Sequence, residues 1–101
     1  MGRRQQLEAM LAEEPDDVFL LYGLACEVVK DGELAQGLSR FDEIHQRFPD
    51  YVPAWFRHAQ ILAEQGDIDA ARRIGQTGLD TARRVGDQHA AGELADFLEL
   101  L

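Results

Sequence analysis

The chain has 101 residues, 46% of them apolar, enough for one domain with its own core, because folding at this size hides roughly two thirds of the unfolded surface. Its net charge of −9 repels a polyanion, which leaves sequence-independent nucleic-acid binding little electrostatic support and favours a basic protein or peptide. One cysteine, Cys26, excludes an internal disulfide framework, and the longest apolar run, Val18 to Tyr22, is far below the ~20 residues a membrane span needs.

The opening Arg3, Arg4, Gln5, Gln6 and Glu8 are not a charged-then-apolar leader, so a reducing, cytoplasmic setting is expected. Nine of the ten basic residues are arginine, which points to a GC-rich bacterial source. No Ser/Gly linker, low-complexity tract or alternating β segment interrupts the chain.

The first predicted helix covers residues 3–14, with Leu7, Met10 and Leu11 on one face and Pro15 ending it by biasing Glu14 away from helix. Asp16 is a good N-cap for a second helix that runs to Lys30 and stops at Asp31-Gly32, where glycine accepts the left-handed conformation. Glu33 opens a third helix reaching Arg47, and Phe48-Pro49-Asp50 repeats the earlier punctuation before a fourth from Tyr51 to Gln65. Gly66 closes that helix and Asp67 caps a longer fifth one ending at Val85. Gly86-Asp87 then separates it from a sixth, Gln88 to Leu100.

These elements repeat. Leu21-x2-Leu24-Ala25-x2-Val28 returns as Trp55-x2-His58-Ala59-x2-Leu62, while Gly32 returns as Gly66, Leu34 as Ile68 and Pro15 as Pro49, always 34 residues on. Ala91-x2-Leu94-Ala95-x2-Leu98 gives the pattern a third time, 70 residues from the first, which is two units plus two residues. A fixed period of this size marks stacked two-helix units, since one unit cannot bury its apolar face alone.

The residues at these positions resemble the tetratricopeptide repeat. The first unit supplies Leu21, Leu24, Ala25, Val28, Gly32, Leu34, Phe41 and Pro49, with Gly37 where the family prefers alanine. The second supplies Trp55, Ala59, Leu62, Gly66, Ile68 and Ala71, with His58 in place of leucine, Gly75 in place of phenylalanine and no terminal proline. The resemblance implies an all-α fold, a right-handed α-α superhelix of helix-turn-helix repeats, whose first helices line a concave surface that binds protein segments. It implies no catalysis. A single domain over 1–101 is expected, with an N-terminal helix over 3–14, repeats over 15–48 and 49–85, and a capping helix over 87–101.

On the second helix Leu21, Leu24, Ala25 and Val28 are expected to face the core and Leu20 the preceding helix, leaving Phe19, Tyr22, Cys26 and Val29 unexplained by the fold. In the family, residues at those places line the groove. Their counterparts are Pro53, Phe56, Gln60 and Ala63, so the candidate partner-binding residues are Phe19, Tyr22, Cys26, Val29, Phe56, Gln60 and Ala63. Apolar, aromatic strips of this kind are favoured binding anchors, unless the terminal helices curl inward and bury them as core. Tyr22 and Cys26 stand where some family members carry the lysine and asparagine that grip a terminal carboxylate. Chaperone tails are therefore disfavoured relative to an amphipathic helix or extended apolar segment.

Other chemistry finds no support. His45, His58 and His89 have no partner at helical spacing, so no metal site is expected, and His58 is read as a packed core residue. Asp67-x-Asp69 is a helix cap rather than a calcium loop, and Cys26 has neither a companion thiol nor basic neighbours. There is no nucleophile–base set and no phosphate loop, so no enzyme activity and no cofactor are expected. Arg72, Arg73, Arg83 and Arg84 form the one basic concentration. Asp69 and Asp80 lie four residues before Arg73 and Arg84, predicting local ion pairs on a solvated face. Gly75 and Gly78, each costing up to ~1 kcal/mol inside a helix, predict a close helix approach with Trp55 opposite.

The sequence therefore reads as a non-catalytic adaptor that binds a protein or peptide, with no nucleic-acid or membrane partner. The alternative is a homodimer formed through the aromatic strip or the Phe97-Leu98-x-Leu100-Leu101 end.

Overall fold

A computed structural model describes residues 2–101 as six helices: α1 (Arg3–Glu13), α2 (Val18–Lys30), α3 (Leu34–Arg47), α4 (Val52–Glu64), α5 (Ile68–Val85) and α6 (Gln88–Glu99). The described residues contain no strand, so the fold is all-α. By its internal contacts the chain separates into two compact units, one ending at Phe48 and holding α1 to α3, the other spanning Pro49–Leu101 with α4 to α6. The seam falls at the start of the second repeat.

Three glycines end helices in the same way. Gly32, Gly66 and Gly86 have φ of 88°, 82° and 79°, a region closed to most side chains. After each, the next residue's N–H donates six residues' span back to a helix carbonyl: Glu33 to Val28 at 3.2 Å, Asp67 to Leu62 at 3.0 Å and Asp87 to Ala82 at 2.8 Å. That double turn satisfies carbonyls left open at a helix end. Asp67 and Asp87 then accept from the N–H groups of Ala70 and Ala90, so each Gly-Asp pair stops one helix and starts another. Glu33 lacks a side-chain cap bond and pairs instead with Arg4.

The capping role expected of Asp16 belongs to Asp17, whose Oδ1 accepts from Leu20 N at 3.1 Å. Asp16 instead takes Arg47 Nη2 at 2.5 Å, while the same guanidinium lies 5.3 Å from the centre of the Phe48 ring. One period later Asp50 does likewise, receiving Arg84 Nη2 at 2.6 Å. This corrects the expected Asp80–Arg84 pair, for Asp80 accepts from Gln76 Nε2 at 2.9 Å. In each unit, then, the aspartate after the boundary proline is tied to an arginine near the end of that unit's second repeat helix. The hydrogen bond from Arg84 holds the Asp50 carboxyl below its ordinary range and the Arg84 guanidinium above its own.

Within the first unit α2 packs on α1 through Leu7, Leu20, Leu24 and Val28, with Leu11 at the edge, and on α3, where Phe41 and Ile44 are fully buried. Leu20 thus faces α1 as expected, whereas Leu21 is only half-buried. Gly37 sits under Val29: a Cβ there would come 2.2 Å from Val29 Cγ2 and 3.2 Å from Val29 N, which is why the family's alanine is absent. Arg4 ties the start of α1 to the α2–α3 turn by pairing with Asp31 and Glu33, besides Glu8 on its own helix, and its hydrogen bond to Glu33 raises the guanidinium pKa.

In the second unit α5 lies between α4 and α6. The close approach foreseen at Gly78 is there, since a Cβ would stand 2.8 Å from Trp55 Cβ and 3.5 Å from both Leu94 methyls. Leu94 is fully buried in a cluster with Val52, Leu79 and Ala82. Trp55 also donates its indole N–H to the Pro49 carbonyl at 2.8 Å, fastening the turn that precedes α4. His58 is 5% exposed, a core position as its spacing indicated.

Candidate partner-binding faces

On α2, Phe19, Tyr22 and Cys26 recur at helical spacing along one face, and their surroundings differ. Phe19, in the first turn, is 65% exposed. Tyr22 is half-buried with its ring set edge-on to Phe41, centroids 6.2 Å apart at 75°. Cys26 is half-buried, and Val29 is turned to the notch at Gly37. The α2 strip therefore grades from open at Phe19 to packed at Val29.

The α4 strip is more closed. Phe56 is half-buried and stands edge-on to Phe97 of α6 at 5.7 Å and 62°, packing against the cluster around Leu94. Gln60 and Ala63 are half-buried, and Pro53 is exposed at the start of the helix. Arg57, one turn from Gln60, reaches Glu64 at 3.4 Å, leaving an ion pair beside the strip. Neither ring is sealed in a core: α6 covers Phe56 in part, while Tyr22 keeps one side toward Phe41.

Sequence reasoning missed Met10. Grouped with Leu7 and Leu11 on one face of the first helix, it is 51% exposed, and it shares a depression of about 370 Å³ with Glu13, Glu14, Asp17, Phe19 and Leu20. The available signal was its place on the wheel of α1, between Glu13 and Glu14 rather than in line with Leu7. A second depression, about 610 Å³, is lined by Arg72, Arg73, Gln76, Thr77 and Leu98, where Arg72 donates to the Leu101 carbonyl at 2.6 Å.

Groups suited to metal binding do not converge: no cluster of three histidine, cysteine or acidic side chains exists among the described residues. His89 lies exposed on α6, 3.3 Å from Glu93. Among the described residues no helix is long and apolar enough to cross a membrane.

Comparison with known proteins agrees with the helix pattern. A tetratricopeptide repeat model matches residues 28–92. A tetratricopeptide-repeat-containing protein of Pseudomonas aeruginosa is 30% identical over 95 residues, 94% of this chain and 90% of that protein. The chain belongs to the tetratricopeptide repeat family. Among solved structures it is similar to a tetratricopeptide repeat domain protein from Salinibacter ruber, with a TM-score of 0.79, 30% identity and coverage of 83% and 85% of the two chains. A Bordetella parapertussis protein gives a TM-score of 0.83 at 30% identity, covering 98% of this chain and 86% of that one.

Tetratricopeptide repeats generally serve as protein–protein interaction modules, typically without catalysis of their own. In this chain Gly37 and Gly75 are each matched by a side chain from a neighbouring helix, Val29 and Leu98.

Proposed function

We propose that this tetratricopeptide repeat protein is a non-catalytic adaptor that captures a segment of another protein on the first helices of its repeats. Phe19, Tyr22, Cys26 and Val29 form the strip on α2, and Phe56, Gln60 and Ala63 the strip on α4. The observation that carries the reading is Phe19, a large aromatic side chain left 65% exposed on the face it shares with Tyr22. Exposed apolar side chains beside half-buried rings are the composition of binding anchors, because contact removes area already poor in hydration partners. The net charge of −9 favours a basic partner and disfavours nucleic acid. A bacterial, cytoplasmic setting is supported by the single cysteine and by relatives from bacteria.

The test is affinity purification from the native host, followed by binding of the recovered partner to a Tyr22→Ala, Phe56→Ala variant. Each anchor lost is expected to weaken capture by more than about 1 kcal/mol while far-UV helicity stays unchanged. Equal recovery of the same partners by the variant overturns the assignment. Self-association is the second reading, favoured by Leu100, whose side chain is 88% exposed. A strict monomer by light scattering across a dilution series removes it.

A further inference from the structure

The depression at the junction of α1 and α2 combines two features that no internal packing explains. Met10 and Phe19, two of the four exposed large apolar side chains among the described residues, line the same hollow. Around it stand Glu13 and Glu14, whose carboxylates pair with no cation among the described residues. Both glutamates also occupy an unfavourable place. Glu13 is the last residue of α1 and Glu14 its C-cap, the negative end of the helix dipole, and the last turn of α1 carries no basic residue. Nearby charges are already engaged, Asp17 in capping α2 and Asp16 with Arg47.

We infer that this hollow is a docking site for a segment carrying an apolar anchor flanked by arginine or lysine, a short stretch of a basic partner protein. The anchor covers Met10 and Phe19, where the unbranched thioether adapts to the incoming shape, and the flanking cations neutralise Glu13 and Glu14. This names the partner class for the adaptor reading and rests on it, but places the anchoring point at the α1–α2 junction, at the Phe19 end of the α2 strip and away from Tyr22 and Phe56.

The probe is a fluorescein-labelled synthetic peptide with a leucine–tryptophan pair between arginines, titrated into the isotope-labelled full chain. A matched peptide with glutamates replacing the arginines is the control. Saturable binding that shifts the Met10 methyl signal is expected, weakening about ten-fold between ~0.05 M and ~0.5 M salt as the charges are screened. Glu13→Gln with Glu14→Gln is expected to weaken it about five-fold, as is Met10→Ser alone, whereas Gln36→Ala, at an exposed position on α3, leaves it unchanged. These residues are exposed, and unchanged circular dichroism establishes that the variants fold.

No saturable shift at Met10, equal binding of the acidic peptide, or full affinity in the Glu13, Glu14 double variant overturns the proposal. So does a Met10 signal that moves on dilution of the protein alone, which makes a second copy the occupant. Shifts centred on Tyr22 and Phe56 also overturn it, yet leave the adaptor reading standing. Loss of all capture on Tyr22→Ala, Phe56→Ala with Met10 unaffected separates the two in the same way.

Discussion

The two units place an aromatic ring at the same repeat position and support it by different means. In the first, Tyr22 of α2 meets Phe41 of α3, the ring that the family pattern provides. In the second, Phe56 of α4 has Gly75 where that ring would be, and its edge-on partner is Phe97 of α6. Leu98 of α6 enters the space at Gly75, with a methyl 3.0 Å from where a Cβ would stand. Deleting one aromatic side chain from the second helix of a repeat has thus made a seat for an additional helix. The comparison teaches that a departure from a repeat motif is a packing instruction: the missing volume is filled from elsewhere, because interiors tolerate few voids.

A second exchange follows the same rule. Val29 over Gly37 in the first unit corresponds to Ala63 and Ala71 in the second, one large and one absent side chain against two small ones.

The largest test of this contrast removes each unit's central side chain. Phe41→Ala is expected to cost about 3–5 kcal/mol and Leu94→Ala about 2–5 kcal/mol by urea denaturation, since both side chains are fully buried. Hydrogen exchange should accelerate first in α2 and α3 for the former and in α5 and α6 for the latter. Equal acceleration everywhere in both variants breaks the two-unit description.

An intermediate effect separates the two glycines of α5. At Gly78 an added methyl meets Trp55 Cβ, an atom fixed to the backbone of α4. Gly78→Ala should therefore destabilise by about 1–3 kcal/mol of overpacking, against a helix-propensity gain of only ~1 kcal/mol. At Gly75 the nearest atom is the end of the Leu98 side chain, which can rotate away. Gly75→Ala should thus be close to neutral, within about 1 kcal/mol, as melting temperatures will show. A larger loss at Gly75 than at Gly78 would mean that α6 is seated more rigidly than α4.

The smallest effect concerns the boundary aspartate. Because the folded pKa of Asp50 is depressed by Arg84, its contribution is complete above the ordinary aspartate range near 3.9 and disappears as pH falls through the lower folded value. A carboxyl-carbon NMR titration should show an Asp50 midpoint below that range, returning to it in Arg84→Ala. An ordinary midpoint in the unaltered protein would mean that the Asp50–Arg84 bond does not hold in solution.

Much of this architecture was legible beforehand. All six helices, their ends at Gly32, Gly66 and Gly86, and the close approach at Gly78 follow from local chemistry and the 34-residue period. The candidate faces were legible only in outline. That Phe19 and Tyr22 share a face follows from helical spacing, but that Phe19 stays open beside Met10 while Phe56 leans on Phe97 does not. Asp16 and Asp17 are equally good caps on paper, and Arg84 has an acid four residues away in Asp80. Arg47 reaching Asp16, and Asp50 reaching Arg84, decided the two cases.

By itself the sequence determined the family, the helix count and the helix ends, because caps, left-handed glycines and periodicity act between residues a few positions apart. Only the tertiary structure decided which side chains stay exposed, which ion pairs form and what fills the place of a missing ring. Those outcomes depend on distances between residues about 30 apart in the chain, which local propensity does not encode.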